Sequence, residues 1–172
     1  MINQPVPRGK FFSQFKKLVS RKNAGPTKTL LLALTAKVAK RYKSYKAAIP
    51  KLETLAHPAW SAEESDALET CYAPGGKYAL DLQKSRGIGD ASETPKCPYC
   101  QIDNARSWDH FLPTDTFPEF SVFGLNLIRA CTDCNSRKLA LVGVSRSILN
   151  PFFDDLSSCQ YLRCVIRRLG PG

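Results

Sequence analysis

The first 52 of the 172 residues contain no acidic side chain, against thirteen Lys and Arg. The bland explanation of such charge is a solvated helix face over a small core, but those faces ordinarily mix signs to form pairs four residues apart. Here they cannot, which favours a surface that meets phosphate. Long apolar runs are also missing. The longest, Leu30 to Ala39, already contains Lys37, so it is too short and too charged to span a bilayer. No basic-then-apolar stretch ends in a small-residue cleavage site, so no export signal is read. The expected compartment is the cytoplasm, with no membrane partner. Gly87 and Gly89 lack the third glycine of a dinucleotide fingerprint, and Gly75-Gly76-Lys77 lacks the rest of a phosphate loop; both motifs are dismissed. There are no internal repeats, and histidine is scarce, with only His57 and His110.

What is present is unevenly placed. The net charge is +10, yet residues 53–172 carry twelve basic and fifteen acidic side chains, a net of −3. A basic stretch therefore adjoins a slightly acidic body, and charge of this kind attracts polyanions, nucleic acid before acidic membrane. Hydrophobic residues make up 43% and aromatics 10% of the chain, enough for a core and too much for wholesale disorder.

Periodicity predicts loose residues over 1–9 and a helix over 10–22, with Phe11, Phe12, Phe15, Leu18 and Val19 on its apolar side. Asn23-Ala24-Gly25-Pro26 reads as a turn. A longer helix follows, capped by Thr27 or Thr29 and ended by Pro50. Its apolar stripe is Leu31, Leu34, Val38, Tyr42 and Tyr45; its other face carries Lys37, Lys40, Arg41, Lys43 and Lys46. Residues 61–72 read as a helix opened by a capping box of Ser61 and Glu64. A short helix is expected over 77–85 and a loop over 86–95.

Seven cysteines without an export signal suggest metal binding before disulfides. Cys97-Pro-Tyr-Cys100 and Cys131-Thr-Asp-Cys134 are two C-x2-C knuckles thirty residues apart. Two such turns can present four thiolates to a tetrahedral Zn²⁺ that has no open position, so the zinc staples and does not catalyse. Cys71, Cys159 and Cys164 fit neither knuckle and read as small apolar residues.

Between and after the knuckles stand Asp109-His110, Asn126, and Asn135 with Lys138. Singly, each has an ordinary explanation: a structural histidine, a helix-capping asparagine. Together they supply what phosphodiester hydrolysis needs. A carboxylate and an amide oxygen can hold a hard divalent cation, a neutral imidazole can take a proton from water, and a lysine can bind phosphate.

The order C-x2-C, DH-x2-P, N-L-x3-C-x2-C-N-x2-K resembles the HNH endonucleases, in the zinc-stapled subgroup whose last histidine is asparagine. The match runs from Cys97 to Lys138, a quarter of the chain. Phe117-Pro-Glu-Phe-Ser121 and Asn150-Pro-Phe-Phe-Asp154 also look like bacterial members, some of which are nuclease subunits that act beside an ATPase in Septu-type antiphage systems. The resemblance implies a ββα-metal finger stapled by the four-cysteine site, and with the helical basic N-terminal region read from periodicity the expected fold is α+β. It implies His110 as general base, Asp109 and Asn135 as ligands of one catalytic Mg²⁺ or Mn²⁺, and Asn126 as the residue that fixes the loop orienting His110. It places Lys138 toward the phosphate or the outer face of the helix. Arg129 and Arg137 become candidate phosphate contacts, though ordinary surface charge explains either equally well. His57 is read as structural.

The expected organisation is a basic helical arm over 1–52, a helical connector over 53–95, the nuclease core over 96–145 and a C-terminal segment over 146–172 shorter than in such relatives. The expected function is metal-dependent DNA hydrolysis, with an ATPase subunit as a further partner. Two rivals stand beside it: a zinc-ribbon-like binding module without catalysis, and a nuclease subunit latent until it meets its ATPase.

Overall fold

The computed structural model describes residues 3–73, 81, 95–138 and 148–155. Most of the expected 77–85 helix and 86–95 loop, as well as Cys159 and Cys164, lie outside them. Among the described residues the chain is α+β, with four α-helices and one two-stranded sheet. In order these are α1 (Phe11–Ser20), α2 (Pro26–Ala48), α3 (Ala62–Glu69), β1 (Ser107–His110), β2 (Leu127–Ala130) and α4 (Thr132–Lys138). No described helix is long and apolar enough to cross a membrane.

The apolar spacing selects the buried faces. Phe11, Phe15 and Val19 are the buried side of α1, and Leu31, Leu34, Val38, Tyr42 and Tyr45 that of α2. Neither Thr27 nor Thr29 caps α2. Gly25 is its N-cap and Pro26 fills the first turn, where a missing N–H costs nothing; the Thr29 hydroxyl instead donates back to the Gly25 carbonyl at 3.2 Å. The capping box of α3 forms as its sequence predicts: Glu64 N donates to Ser61 Oγ, and Ser61 N to Glu64 Oε2.

β1 and β2 run antiparallel in a register that pairs Trp108 with Arg129, Asp109 with Ile128 and His110 with Leu127. The sixteen residues joining them, 111–126, are packed. Phe120 and Phe123 meet Tyr45 edge-on at 5.0 Å, and Phe123 lies 4.1 Å from the ring of Tyr42. Phe11 meets Phe123 edge-on at 5.6 Å, and its ring lies so close to Gly124 that a Cβ there would collide with it. Residues 11–45 and 111–128 thus contribute to one hydrophobic core, and the basic stretch is a wall of that core as well as a charged surface. Even residues 3–9, which form no regular element, are tied down where Gln4 N donates to the Pro151 carbonyl at 2.8 Å.

The basic face of α2 is divided by this packing. The Arg41 guanidinium donates to Glu119 Oε1 at 2.7 Å, and Trp60 Nε1 donates to the other oxygen at 2.8 Å. Lys37 pairs with Glu64 and lies 3.8 Å over the Trp60 ring. Arg41 is therefore committed to the body, while Lys37 stays exposed but is paired with a carboxylate. Lys40, Lys43 and Lys46 remain exposed.

Candidate metal and hydrolytic site

The two knuckles converge. The sulfurs of Cys97, Cys100, Cys131 and Cys134 all lie within 4.8 Å of one another, with Cys100 and Cys131 Sγ 3.9 Å apart. A tetrahedron of thiolates at about 2.3 Å from zinc has edges of about 3.8 Å, so the four cysteines fit such an ion. Each knuckle turns backbone N–H groups toward sulfur: Ile102 N toward Cys100 at 3.5 Å, Cys134 N toward Cys131 at 3.4 Å. N–H groups of Asp103 and Ile102 pull the Cys100 thiol down to about 7. Burial pushes Cys131 and Cys134 up, and at Cys134 the neighbouring sulfurs add to it. Four sulfurs so close ionise together only around a cation. Cys71 is buried elsewhere with its thiol pushed up to about 11, an inert position consistent with a small apolar residue.

The strand pleat places Trp108 and His110 on one face with Arg129 and Leu127, and Ser107 and Asp109 on the other. His110 Nε2 lies 2.8 Å from the Ser121 carbonyl. A carbonyl can only accept, so Nε2 carries the proton in this contact and Nδ1 is the bare nitrogen of the neutral ring. Burial lowers the imidazole's pKa, against the opposing pull of the Ser121 carbonyl and Asp109. Asn126 is wholly buried and clasps the loop that follows His110. Its Oδ1 accepts from Leu112 N at 2.8 Å, and its Nδ2 donates to the Leu112 carbonyl at 3.0 Å. Tyr45 of α2 reaches the same place, donating to the Leu125 carbonyl at 3.1 Å.

Asp109 is only 2% exposed. Lys138 Nζ lies 2.9 Å from its Oδ1, and the Tyr99 hydroxyl donates to its Oδ2 at 2.6 Å. Burial, reinforced by Asp109, holds the Tyr99 hydroxyl well above its ordinary pKa, so it stays a donor. Asn135 Nδ2 donates to the Trp108 carbonyl at 3.2 Å; only the amide nitrogen can face a carbonyl, which leaves Oδ1 as its available donor to a cation.

Lys138 is not on the outer face of α4 and is not presented to a phosphate. It is 3% exposed and also donates to the His110 carbonyl at 2.8 Å, because a buried carboxylate draws the nearest cation inward. Arg137 is exposed and paired with Asp133 at 3.1 Å, one turn earlier. Arg129 shares the face of His110. Its guanidinium lies 5.1 Å from the Trp108 ring, and its Nε is buried with no hydrogen bond. Tyr72 stands beside it, edge-on to His110 at 4.6 Å. His57 is exposed and contacts the Phe117 ring at 5.2 Å, away from this group. Tyr99, Tyr72 and Ser121 were not legible as site residues. Tyr99 had one available signal, its place inside a knuckle.

Comparison with known proteins finds partial similarities. The chain is 49% identical over 63 residues to protein ea31 of Escherichia phage lambda, a stretch that covers 36% of this chain and 19% of that protein. It is 35% identical over 68 residues to Septu protein PtuB of Bacillus thuringiensis, covering 37% of this chain and 26% of that one. The chain thus spans about a fifth to a quarter of the length of these curated relatives. No family model and no solved structure matches.

Proposed function

We propose that this protein is a metal-dependent endonuclease of the HNH type, hydrolysing DNA phosphodiesters in bacterial defence against phage or foreign DNA. The observation that carries the reading is the placement of His110. Its Nε2–H is spent on the Ser121 carbonyl, and its neutral form is favoured by burial. The ring sits one residue from a buried carboxylate that α4 also approaches. Partial similarity to a Septu protein and the four-cysteine cluster support the same reading.

In this reading Nδ1 of His110 takes a proton from water as the water oxygen attacks phosphorus and the P–O bond to the leaving sugar oxygen breaks. Asn126 holds the loop so that the imidazole keeps its orientation. Asp109 and Asn135 Oδ1 would hold Mg²⁺ or Mn²⁺, which when bound stabilises the charge that develops on phosphate. Arg129, on the same face as His110, is the best placed of the three phosphate candidates. The exposed Lys40, Lys43 and Lys46 would add affinity for DNA that falls with salt.

Supercoiled plasmid incubated with the protein and Mg²⁺ or Mn²⁺ tests this. His110→Ala should cut at least a hundredfold more slowly, the usual scale for losing a general base; equal cutting would sink the mechanism. The engagement of both Asp109 oxygens favours a second form of the reading, a subunit latent until an ATPase partner binds. Cleavage that appears only with such a partner would distinguish that form. Absence of any Mn²⁺ site apart from the cysteines would favour a zinc-ribbon-like binding module instead.

A further inference from the structure

Tyr99 stands inside the first cysteine knuckle and also bonds the Asp109 carboxylate. Cys100 follows it directly and Cys97 stands two residues before it, so its backbone position is set by the cysteine cluster. The knuckle is closed around it: Cys97 N donates to the Asp103 carbonyl at 2.8 Å, and Gln101 N and Nε2 both donate to the Cys97 carbonyl at 2.8 Å. Gln101 itself adopts φ of 60°, the left-handed conformation that reverses the chain after the second sulfur. The Tyr99 ring packs against both the main hydrophobic core and the small cluster around Cys97, Ala130 and Cys131. From that fixed root its hydroxyl reaches Asp109 Oδ2 at 2.6 Å, a short hydrogen bond to a carboxylate with almost no exposure to water.

We infer that Tyr99 is a positioning residue that couples the four-cysteine cluster to Asp109 and so sets the affinity of the cation Asp109 would hold. The inference rests on the proposed function. A carboxylate has about four lone-pair directions; Lys138 and Tyr99 occupy one on each oxygen and fix the plane in which the others point. Without the hydroxyl, the Lys138 ammonium is the only described partner left to the carboxylate, and the bond that fixes Oδ2 is gone. Hydrogen bonds behind a ligating carboxylate are typically worth about 10–100-fold in metal affinity.

Tyr99→Phe removes the hydroxyl and keeps the ring. Zinc content per chain and Mn²⁺ binding, followed by the electron paramagnetic resonance of free Mn²⁺, are measured on both full-length chains without DNA. The expected result is unchanged zinc and Mn²⁺ affinity weakened about tenfold, with plasmid cleavage restored at saturating Mn²⁺. Equal Mn²⁺ affinity at equal zinc content would overturn the role of Tyr99 and leave the proposed function standing. A wild-type chain that binds no Mn²⁺ would overturn both. A measurement on the wild type alone guards against a variant that folds poorly. Coupling is reciprocal, so saturating Mn²⁺ should slow zinc loss to a chelator several-fold, and an unchanged rate would overturn the coupling.

Discussion

The two regions that meet at the short sheet are held by different physics. On one side α1, α2 and the 111–126 loop interlock through Phe11, Phe15, Tyr42, Tyr45, Phe120 and Phe123, a core that buries whole aromatic side chains. On the other, the knuckles and the start of α4 bury little beyond Cys97, Ala130 and Cys131. Apolar burial scales with area, so the first side can hold itself together and the second depends on what its sulfurs bind. The catalytic candidates stand between them: His110 and Asn126 are fixed from the aromatic side, Asp109 and Asn135 from the cysteine side.

The largest expected effect separates the two directly. A structural zinc in such a site contributes about 10–16 kcal/mol of binding energy coupled to folding. Stripping the metal, or Cys100→Ser, should therefore abolish amide protection around 97–104 and 131–138 while the helical signal of α1 and α2 survives. Simultaneous loss of both would mean a single cooperative unit and erase the contrast. Next comes the bond that closes the aromatic side. Glu119 is buried between Arg41 and Trp60, and removing one member of a buried ion pair typically costs about 3–5 kcal/mol. Glu119→Ala should lower urea stability by that amount and leave zinc content unchanged.

The smallest effect is in the pH profile. Burial lowers the His110 pKa, so its proton-accepting form persists below the ordinary imidazole pKa and is lost only as pH falls through the depressed value. Cleavage at saturating DNA should then change by less than the roughly twofold that an ordinary histidine, with pKa of about 6.5, would show between pH 7.5 and 6.5. A full twofold fall centred at 6.5 would place the imidazole in water instead of against the aromatic side.

Much of this was legible in the residues before any fold. The buried stripes of α1 and α2, the capping box at Ser61 and the two knuckles all depend on spacings within a few residues. The alignment of Asp109-His110, Asn126 and Asn135 could be seen as a set because their spacing resembles a known pattern. The cap of α2 was misplaced from Gly25 to a threonine, since side-chain capping preference says nothing of a proline that already suits the first turn. The basic face of α2 was seen as one surface, although Arg41 is committed to a carboxylate 78 residues away.

By itself, then, the amino-acid sequence determined the helical faces, the four cysteines that cluster and the residue types the proposed hydrolysis would use, because chain geometry carries those over short distances. Only the tertiary structure decided which groups meet. It turned Lys138 inward onto Asp109, brought Tyr99 to the same carboxylate and set Tyr45 against the loop clasped by Asn126. It also left Arg129 on the sheet face that His110 occupies, while Lys138 is held against Asp109 and the His110 carbonyl. The physical reason is that a buried polar group takes whichever partner the packing of distant segments provides, and no local pattern encodes that choice.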